Sequence, residues 1–287
     1  MADASTTPEP SAIFAPGLLE GLVCAVSGGG SGLGRASARE LARLGASVEI
    51  CGRRAEPLAQ TVSAIEAAGG SAHATATDIR DEDAVGAFFD GLLERHGRLD
   101  ALVNNAGGQF LSPAEAISAK GFRTVIELNV IGTWLMTHAA ATRAFIPQGR
   151  GKVISVTLSP HHGMPGMVHS GAARAAVENM TRTLSVEWAR HGIRLSAIAA
   201  GQFDTETLRT KYPREVVENV AGTVPLGRLG TEDEMAWLVA YLASPAGDFF
   251  SGTTLTIDGA RDNWFGSWPP GHYGDSGELP AEERRPR

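Results

Sequence analysis

The sequence has little cysteine, no block of basic residues and no long uninterrupted apolar run. Its two cysteines, Cys24 and Cys51, fall in strand-like segments, so we expect buried reduced thiols rather than a disulfide framework. The net charge of −7 argues against nucleic acid or an anionic membrane as the main partner. No stretch is long enough to span a bilayer, and the polar, acidic start lacks the pattern of a secretory signal. These absences favour a cytoplasmic protein.

Short β-rich segments alternate with helical patterns from residue 17 onward. Such alternation predicts one doubly wound α/β domain, with a mainly parallel seven-stranded sheet and helices on both faces. We expect a disordered leader at 1–16, the domain at 17–265 and a Pro/Gly-rich tail at 266–287. The predicted strands are Leu22–Ser27, Ser47–Gly52, His73–Thr77, Ala101–Asn104, Lys152–Thr157, Arg194–Ala199 and Thr254–Asp258.

A glycine-rich turn follows the first predicted strand and opens a helix. The glycines permit a tight turn and a close approach of the backbone to a pyrophosphate, and the helix N-terminus supplies amide donors. This placement between strand and helix predicts a dinucleotide site. Its candidate residues are Ser27, Gly28, Gly30, Ser31, Gly32, Leu33 and Gly34.

The second strand ends without the acidic residue that usually binds the ribose hydroxyls of NAD. Gly52 stands there, followed by Arg53 and Arg54. Because a guanidinium suits a 2′-phosphate, we expect NADPH as the cofactor, the alternative being a solvated basic start of a helix. After the third strand, Asp78 and Ile79 join the cofactor candidates; Asp78 could accept from the adenine amino group or cap the next helix.

Small and amide side chains follow the fourth strand, at Asn104-Asn105-Ala106-Gly107. Of these, Asn105, Ala106 and Gly107 are cofactor candidates. Asn129 lies in an apolar helical segment, where a buried amide is costly unless it is paired. It either takes part in the site or satisfies a local backbone group. Two further cofactor candidates, Gly201 and Thr205, follow the sixth strand.

The glycine turn, the Asn-Asn-Ala-Gly segment and the helix of Asn129 resemble the short-chain dehydrogenase/reductase superfamily over about residues 17–262. The resemblance implies a Rossmann domain, a role for Asn129 in a water relay, and a Tyr-x-x-x-Lys pair on the helix after the fifth strand. That pair is absent, since Ser170 and Arg174 stand in its places. Thr157 holds the place of the usual catalytic serine, and Arg174 would hold the nicotinamide ribose.

The segment from His169 to Glu178 resembles the peroxisomal trans-2-enoyl-CoA reductases and, less closely, the 2,4-dienoyl-CoA reductases. The resemblance implies reduction of a carbon–carbon double bond conjugated to a thioester, with the proton donor one turn beyond Arg174. Glu178 stands at that place; its alternative is an i,i+4 salt bridge to Arg174 or Arg182. The catalytic candidates are therefore Asn129, Thr157, Ser170, Arg174 and Glu178.

Several further side chains could face the substrate, because loops at the carboxyl ends of the strands carry ligand sites. His161 or His162 could serve as an acid, since histidine titrates near neutrality, and Tyr212 could reach the site from a covering helix. The Cys, His and Asp spacing does not support a metal site. The weaker substrate candidates are His161, His162, His169, Phe203 and Tyr212.

We therefore expect an NADPH-dependent oxidoreductase acting on an acyl thioester. The alternatives are a carbonyl reductase or alcohol dehydrogenase with a displaced proton donor, and a catalytically weak NADP(H)-binding protein. The resemblance to this superfamily implies a homo-oligomer, and more specifically a homotetramer. Three aromatic residues near the tail, Trp264, Phe265 and Trp268, are expected to dock on this or a neighbouring subunit.

Overall fold

Seven strands form one sheet in the computed structural model, which describes residues 10–159, 161–212 and 214–263. The strand order is β3-β2-β1-β4-β5-β6-β7, and every neighbouring pair is parallel. The doubly wound α/β prediction is confirmed, with a sheet that is parallel throughout. The strands are β1 (Val23–Ser27), β2 (Ser47–Gly52), β3 (Ser71–Ala76), β4 (Ala101–Asn104), β5 (Gly151–Leu158), β6 (Ile193–Ala200) and β7 (Thr253–Ile257).

The helices cover both faces of this sheet. Three of them, Ala119–Ile126, Gly132–Ala140 and Ile146–Gln148, follow one another closely through two π-helical turns, Glu127–Ile131 and Ala141–Phe145. In place of the predicted covering helix around Tyr212, the structure has two short helices. The helices are α1 (Gly32–Arg43), α2 (Ala55–Ala67), α3 (Glu82–His96), α4 (Ala119–Ile126), α5 (Gly132–Ala140), α6 (Ile146–Gln148), α7 (Val168–Glu187), α8 (Glu206–Lys211), α9 (Arg214–Val220) and α10 (Glu232–Ala243).

Two apolar layers hold the helices to the sheet. One contains fully buried Leu41 of α1 and Met235 of α10 against the β1–β2 strands. The other contains Phe88 and Phe89 of α3 and Met136 of α5. Burial on both faces explains why the central strands β1 and β4 are mostly apolar.

The strand order reverses between β1 and β4, which opens a crevice at the carboxyl ends of the strands. Most strand predictions differ from the structure by one residue at an end. The larger error is in β3, which begins at Ser71 rather than His73 because Ser71 and Ala72 pair in register with β2. A strand that starts with small, partly exposed residues shows little of the alternation of apolar and polar residues by which strands are predicted.

The described chain begins inside the predicted leader. Phe14 packs against the first apolar layer, and the Ser11 hydroxyl donates to the carboxylate of Glu40. Residues 1–9 and 264–287, including Trp264, Phe265 and Trp268, lie outside the described residues. Cys24 and Cys51 are buried reduced thiols, and burial raises the pKa of each to about 12.

Candidate active site

The glycine turn between β1 and α1 leaves no room for side chains. Gly28 and Gly32 have φ angles of +70° and +53°, in the region that favours glycine. A Cβ on Gly34 would lie 2.3 Å from Asn105 Nδ2 and 2.4 Å from the Gly28 carbonyl oxygen. The turn is therefore a close-packed backbone surface, as a pyrophosphate site requires.

Ser27 and Asn105 fix this turn to the end of β4. The backbone N–H groups of Asn105 and Ala106 each donate to Ser27 Oγ at 3.1 Å. The Asn105 side-chain amide donates to the Ser27 carbonyl oxygen at 3.1 Å. The adjacent strand ends are thus tied at the point where the sheet order reverses.

The N-terminus of α1, like those of α2 and α7, has no side-chain cap. Its N-cap residue, Ser31, makes no side-chain capping hydrogen bond, whereas Asp81, Ser118 and Thr231 cap α3, α4 and α10 with their side chains. The first-turn amides of α1 also have no partner within the helix. This helix end can therefore donate to a phosphate, and Leu33 packs against the core beside it.

The end of β2 presents the exposed Arg53 and Arg54. Asp78 accepts from Arg80 Nε at 2.9 Å and from the Arg80 backbone N–H at 3.1 Å. The hydrogen bond from Arg80 holds the pKa of Asp78 below its usual value, and the charge of Arg53 adds to this effect. The N-cap alternative for Asp78 is wrong, because Asp81 caps α3 by accepting from the Ala84 amide.

Asn129 is fully buried in the π-helical turn. Its Nδ2 donates to the carbonyl oxygens of Gly108 at 2.8 Å and Val125 at 2.7 Å, and its Oδ1 accepts from the Gly108 N–H at 3.2 Å. A Cβ on Gly107 would lie 2.7 Å from Asn129 Oδ1 and 2.6 Å from Arg174 Nη2. The structure therefore brings Gly107, Asn129 and Arg174 together, with both amide protons of Asn129 used by the backbone.

Arg174 is a partly buried cation on α7. Its Nη1 donates to the Val156 carbonyl oxygen at 3.0 Å, whereas its Nε is enclosed and has no hydrogen-bond partner. Within the described residues no carboxylate pairs with it. Desolvation lowers the pKa of Arg174 to about 10, so it remains protonated at neutral pH.

Ser170 and Tyr212 meet through a residue that the sequence did not single out, Gln109. Ser170 Oγ donates to Gln109 Oε1 at 2.6 Å, and Gln109 Nε2 donates to the Tyr212 hydroxyl oxygen at 3.0 Å. Tyr212 is therefore the acceptor in this hydrogen bond, and its hydroxyl proton does not point toward Gln109. The signal that could have found Gln109 is its position, directly after the small residues that follow β4.

The residue before Ser170 on α7, His169, is completely buried. Its Nδ1 accepts from the Ser170 N–H at 2.8 Å, and its Nε2 is enclosed without a partner. Its ring packs edge-on against Phe110, with centroids 4.3 Å apart. His169 therefore lies beside Ser170 but is closed off from solvent.

Thr157 contacts Glu178 rather than Ser170. Thr157 Oγ1 donates to Glu178 Oε1 at 3.0 Å, and His161 Nε2 lies 3.1 Å from the same oxygen. His161 Nδ1 lies 2.5 Å from Asp262 Oδ2. The predicted salt bridge of Glu178 is a long contact of 4.0 Å with Arg182, and Arg174 takes no part in it.

Two carboxylates therefore flank His161. Burial acts to lower the pKa of His161, but the hydrogen bond to Asp262 and the charges of Glu178 and Asp262 outweigh it and raise that pKa. His162 also approaches Asp262, with Nδ1 3.3 Å from Oδ1. No motif in the sequence points to Asp262, which lies 101 residues from His161.

The remaining candidates have structural contacts. Phe203 is 6% exposed and packs in the core against Gly230. Gly201 lies against Asp258, because a Cβ added to Gly201 would be 2.4 Å from the Cβ of Asp258. Thr205 caps α8 by accepting from the Leu208 amide at 3.2 Å. Ile79 is buried against Gly132.

No metal-binding group of three or more His, Cys, Asp or Glu side chains occurs within residues 10–159, 161–212 and 214–263. Over the same ranges, no helix combines the length and the apolar character needed to cross a membrane.

The parallel sheet, the glycine turn and the uncapped helix define a class, the nucleotide-binding oxidoreductases of the α/β type. Residues 28–260 match the family model described as enoyl-(acyl carrier protein) reductase. The chain belongs to this family of short-chain dehydrogenases/reductases. It is accordingly an oxidoreductase that uses a nicotinamide cofactor on a small-molecule substrate.

Individual relatives carry several different names. A Bacillus subtilis protein named "Probable 2,4-dienoyl-CoA reductase" is 36% identical over 248 residues, which cover 85% of this chain and 97% of that one. The gluconate 5-dehydrogenase of Gluconobacter oxydans is 35% identical over 246 residues, 84% of this chain and 94% of that one. Among solved structures, the citronellol catabolism dehydrogenase of Pseudomonas aeruginosa has 42% identity and a TM-score of 0.79, covering 87% of this chain and 98% of its own.

Proposed function

We propose that the protein reduces the carbon–carbon double bond of an enoyl thioester with NADPH. The observation that carries the proposal is Arg174, a cation with an enclosed, unpartnered Nε beside Ser170, at a place where the sequence has no tyrosine. Such a pair can stabilise negative charge on a thioester oxygen but is a poor source of protons for a carbonyl. The relatives named 2,4-dienoyl-CoA reductase support this chemistry.

The chain's residues fit NADPH. Gly28, Gly32 and Gly34 would admit its pyrophosphate, with the amides of α1 as donors. Arg53 and Arg54 would pair with the 2′-phosphate, because Gly52 rather than an acid stands at the end of β2. Asp78 would meet the adenine only in competition with Arg80. When bound, the cofactor supplies a hydride.

The substrate side of the site has to hold negative charge and then provide a proton. Arg174 would hold the nicotinamide ribose and, with Ser170, donate to the thioester oxygen as charge develops there. Ser170 would exchange its hydrogen bond to Gln109 for one to the substrate. Glu178 and Thr157 lie in direct contact and would provide the proton for Cα.

NADPH oxidation with crotonyl-CoA, with simple ketones and without substrate tests the proposal. We expect turnover with crotonyl-CoA, and a loss of about 10²–10³ in kcat in Ser170→Ala, the usual effect of removing one oxyanion donor. Ser63→Ala, at an exposed position of α2, is the matched control. Efficient ketone reduction that Ser170→Ala leaves unchanged would contradict the proposal.

One observation favours a carbonyl reductase as the second candidate. The Tyr212 hydroxyl accepts from Gln109 and keeps its own proton for another group, as a displaced acid would. The relative named gluconate 5-dehydrogenase is 35% identical to this chain, which is close to the 36% of a relative named dienoyl-CoA reductase. Tyr212→Phe should abolish ketone reduction if this candidate holds. Tight cofactor binding without turnover on any substrate would instead favour a catalytically weak NADP(H)-binding protein.

The assembly and location are also proposals. Large apolar side chains are strongly exposed on the described surface, including Val186 at 78% and Phe249 at 102%, which supports self-association. We propose a homotetramer, to be checked by light scattering. The cytoplasmic location inferred from composition is checked by cell fractionation.

A further inference from the structure

The proposed reaction needs a proton for each turnover, and the residues around Arg174 do not supply it. Arg174 remains a cation at neutral pH, with a pKa of about 10. Both amide protons of Asn129 are held by backbone carbonyl oxygens. A path through Arg174 and Asn129 would therefore have to break buried hydrogen bonds, which is costly.

A second line of polar groups leads away from the site. It runs from Thr157 Oγ1 through Glu178 Oε1 to His161 Nε2, with steps of 3.0 and 3.1 Å. It continues from His161 Nδ1 to Asp262 Oδ2 at 2.5 Å. Each step is within hydrogen-bond distance, so a proton can pass along it without a gap.

Exposure rises along this line. Thr157 is 0% exposed, the Glu178 side chain is 7% exposed and the His161 side chain is 33% exposed. Glu178 therefore cannot exchange protons freely with bulk water, whereas His161 can. A protonated imidazole ring can release a proton from one nitrogen, and the neutral ring that results can then take up another proton.

The outer end of the line is held in place by the turn that follows β7. Asp262 accepts from the His161 backbone N–H at 2.6 Å, and Asp258 accepts from the Asp262 N–H at 2.7 Å and from the Ser159 hydroxyl. Within this turn Ala260 has a φ of +70°, the one non-glycine residue of the described ranges with a positive φ. Surrounding contacts have to maintain such a conformation, so the position of Asp262 against His161 is well determined.

We propose that His161, held by Asp262, is the entry point for protons that Glu178 and Thr157 pass to the reduced substrate. The inference rests on the proposed function. His161 gives its Nε2 proton to Glu178 Oε1. Glu178 then protonates the Thr157 oxygen while the Thr157 hydroxyl proton moves to the enolate carbon. His161 regains a proton from water, and no electrons move beyond the hydride pair. His161 and Glu178 act through Thr157, so they are positioning residues of the reaction.

The direction of the pH dependence follows from the groups that face His161. Glu178 faces it from α7, with Arg182 behind that carboxylate. Asp262 and Asp258 lie on the turn after β7, and His162 lies on the same loop as His161. The two carboxylates in contact with it raise the pKa of His161 against the effect of burial. Because the relay needs protonated His161, kcat should be highest below this raised pKa and fall as the pH rises through it.

The experiment compares His161→Gln with the control His191→Gln, whose histidine lies in the turn that precedes β6 and so at the opposite edge of the sheet. We expect His161→Gln to lower kcat about 10²-fold, to remove the alkaline fall of kcat and to leave KM little changed. Added imidazole should restore part of the kcat of His161→Ala. Uniform loss of kcat at every pH without imidazole rescue, or no loss at all, would overturn the relay.

NMR titration of the His161 ring gives a measurement that needs no turnover. Its pKa should fall in both Glu178→Gln and Asp262→Asn, and an unchanged pKa in Glu178→Gln would overturn the relay. If the wild-type protein does not oxidise NADPH with crotonyl-CoA, the result contradicts the proposed function rather than the relay. If it reduces ketones, the same His161 comparison is made on that substrate.

Discussion

A fully buried and a partly buried charged group in this protein have opposite surroundings. Glu49, in the middle of β2, is fully buried and accepts from Arg95 Nε at 2.9 Å and Nη2 at 2.8 Å. His96 and His73 contact the same carboxylate at 2.8 and 3.1 Å. Arg174 is held by a single backbone carbonyl oxygen, and its Nε has no partner.

The difference separates a charge that serves the fold from one that serves a ligand. A buried charge is tolerated when hydrogen bonds and an opposite charge compensate its desolvation. Glu49 meets this condition within the protein, so we infer a structural role. Arg174 does not, and we infer that its missing partners are the cofactor ribose and the substrate oxygen. Replacing each group tests this assignment.

The largest expected effect is on activity, in Arg174→Met. Removal of this cation should lower kcat/KM for crotonyl-CoA by about 10²–10³ and weaken cofactor binding. The free energy of unfolding should stay within about 1 kcal/mol of wild type, because no ion pair is broken. Arg174→Lys should retain partial activity, since lysine keeps the charge but loses the forked donor geometry. A large loss of stability with normal kcat/KM would reverse the assignment.

The next effect is on stability, in Glu49→Gln. Its cationic neighbours would lose their counter-charge, but they are partly exposed, so we expect about 2–3 kcal/mol rather than the full cost of a buried pair. Urea unfolding measures this change, and kcat at a permissive temperature should be unaffected. Asp90→Asn on α3, which removes an exposed partner of Arg143, is the control and should change stability little.

The same residue predicts how stability depends on pH. Burial alone would raise the pKa of Glu49, but the hydrogen bonds from Arg95 and His96 and the charges of Arg95 and His73 lower it below 4.5. A carboxylate with a lowered folded pKa stabilises the protein above its unfolded pKa, and this contribution is lost as the pH falls through the folded pKa. Wild type should therefore lose stability below about pH 4.5 more steeply than Glu49→Gln. Parallel acid profiles would show that Glu49 is not a main acid-sensitive group.

The smallest effect concerns cofactor choice at the exposed end of β2. Arg53→Gln should weaken NADPH binding by roughly 1.5–3 kcal/mol, the scale of a hydrogen bond to a charged group, and leave NADH binding unchanged. Adding Gly52→Asp should move the preference toward NADH. Dissociation constants from fluorescence titration measure both. Equal NADPH affinity in wild type and Arg53→Gln would show that Arg53 does not bind the 2′-phosphate.

The cofactor half of the fold is local in sequence, and the sequence predicts it well. The bounds of Ser47–Gly52 and Ala101–Asn104 agree with β2 and β4, and the glycine turn lies where its spacing indicates. The cap of α3 is predicted less well. The sequence offers Asp78 as one alternative, whereas the structure has Asp81, three residues later. Two acids near a helix start are not distinguished by residue type alone.

The substrate half depends on side chains that are distant in sequence. Gln109 bridges Ser170 and Tyr212 across separations of 61 and 103 residues, and Asp262 meets His161 across 101. No periodicity or motif records such contacts, because packing of loops at the sheet edge creates them. The sequence identified His161 and Glu178 separately, but their contact became visible only in the structure.

A crystal structure of the ternary complex with NADP⁺ and an unreactive enoyl-thioester analogue would show which groups partner Arg174. We expect a guanidinium nitrogen of Arg174 and the Ser170 hydroxyl to lie within about 3 Å of ribose or thioester oxygens. We also expect the Thr157 hydroxyl to face Cα. A thioester oxygen held by Tyr212 or by a loop histidine, with Arg174 still lacking a ligand partner, would contradict the proposed role of Arg174.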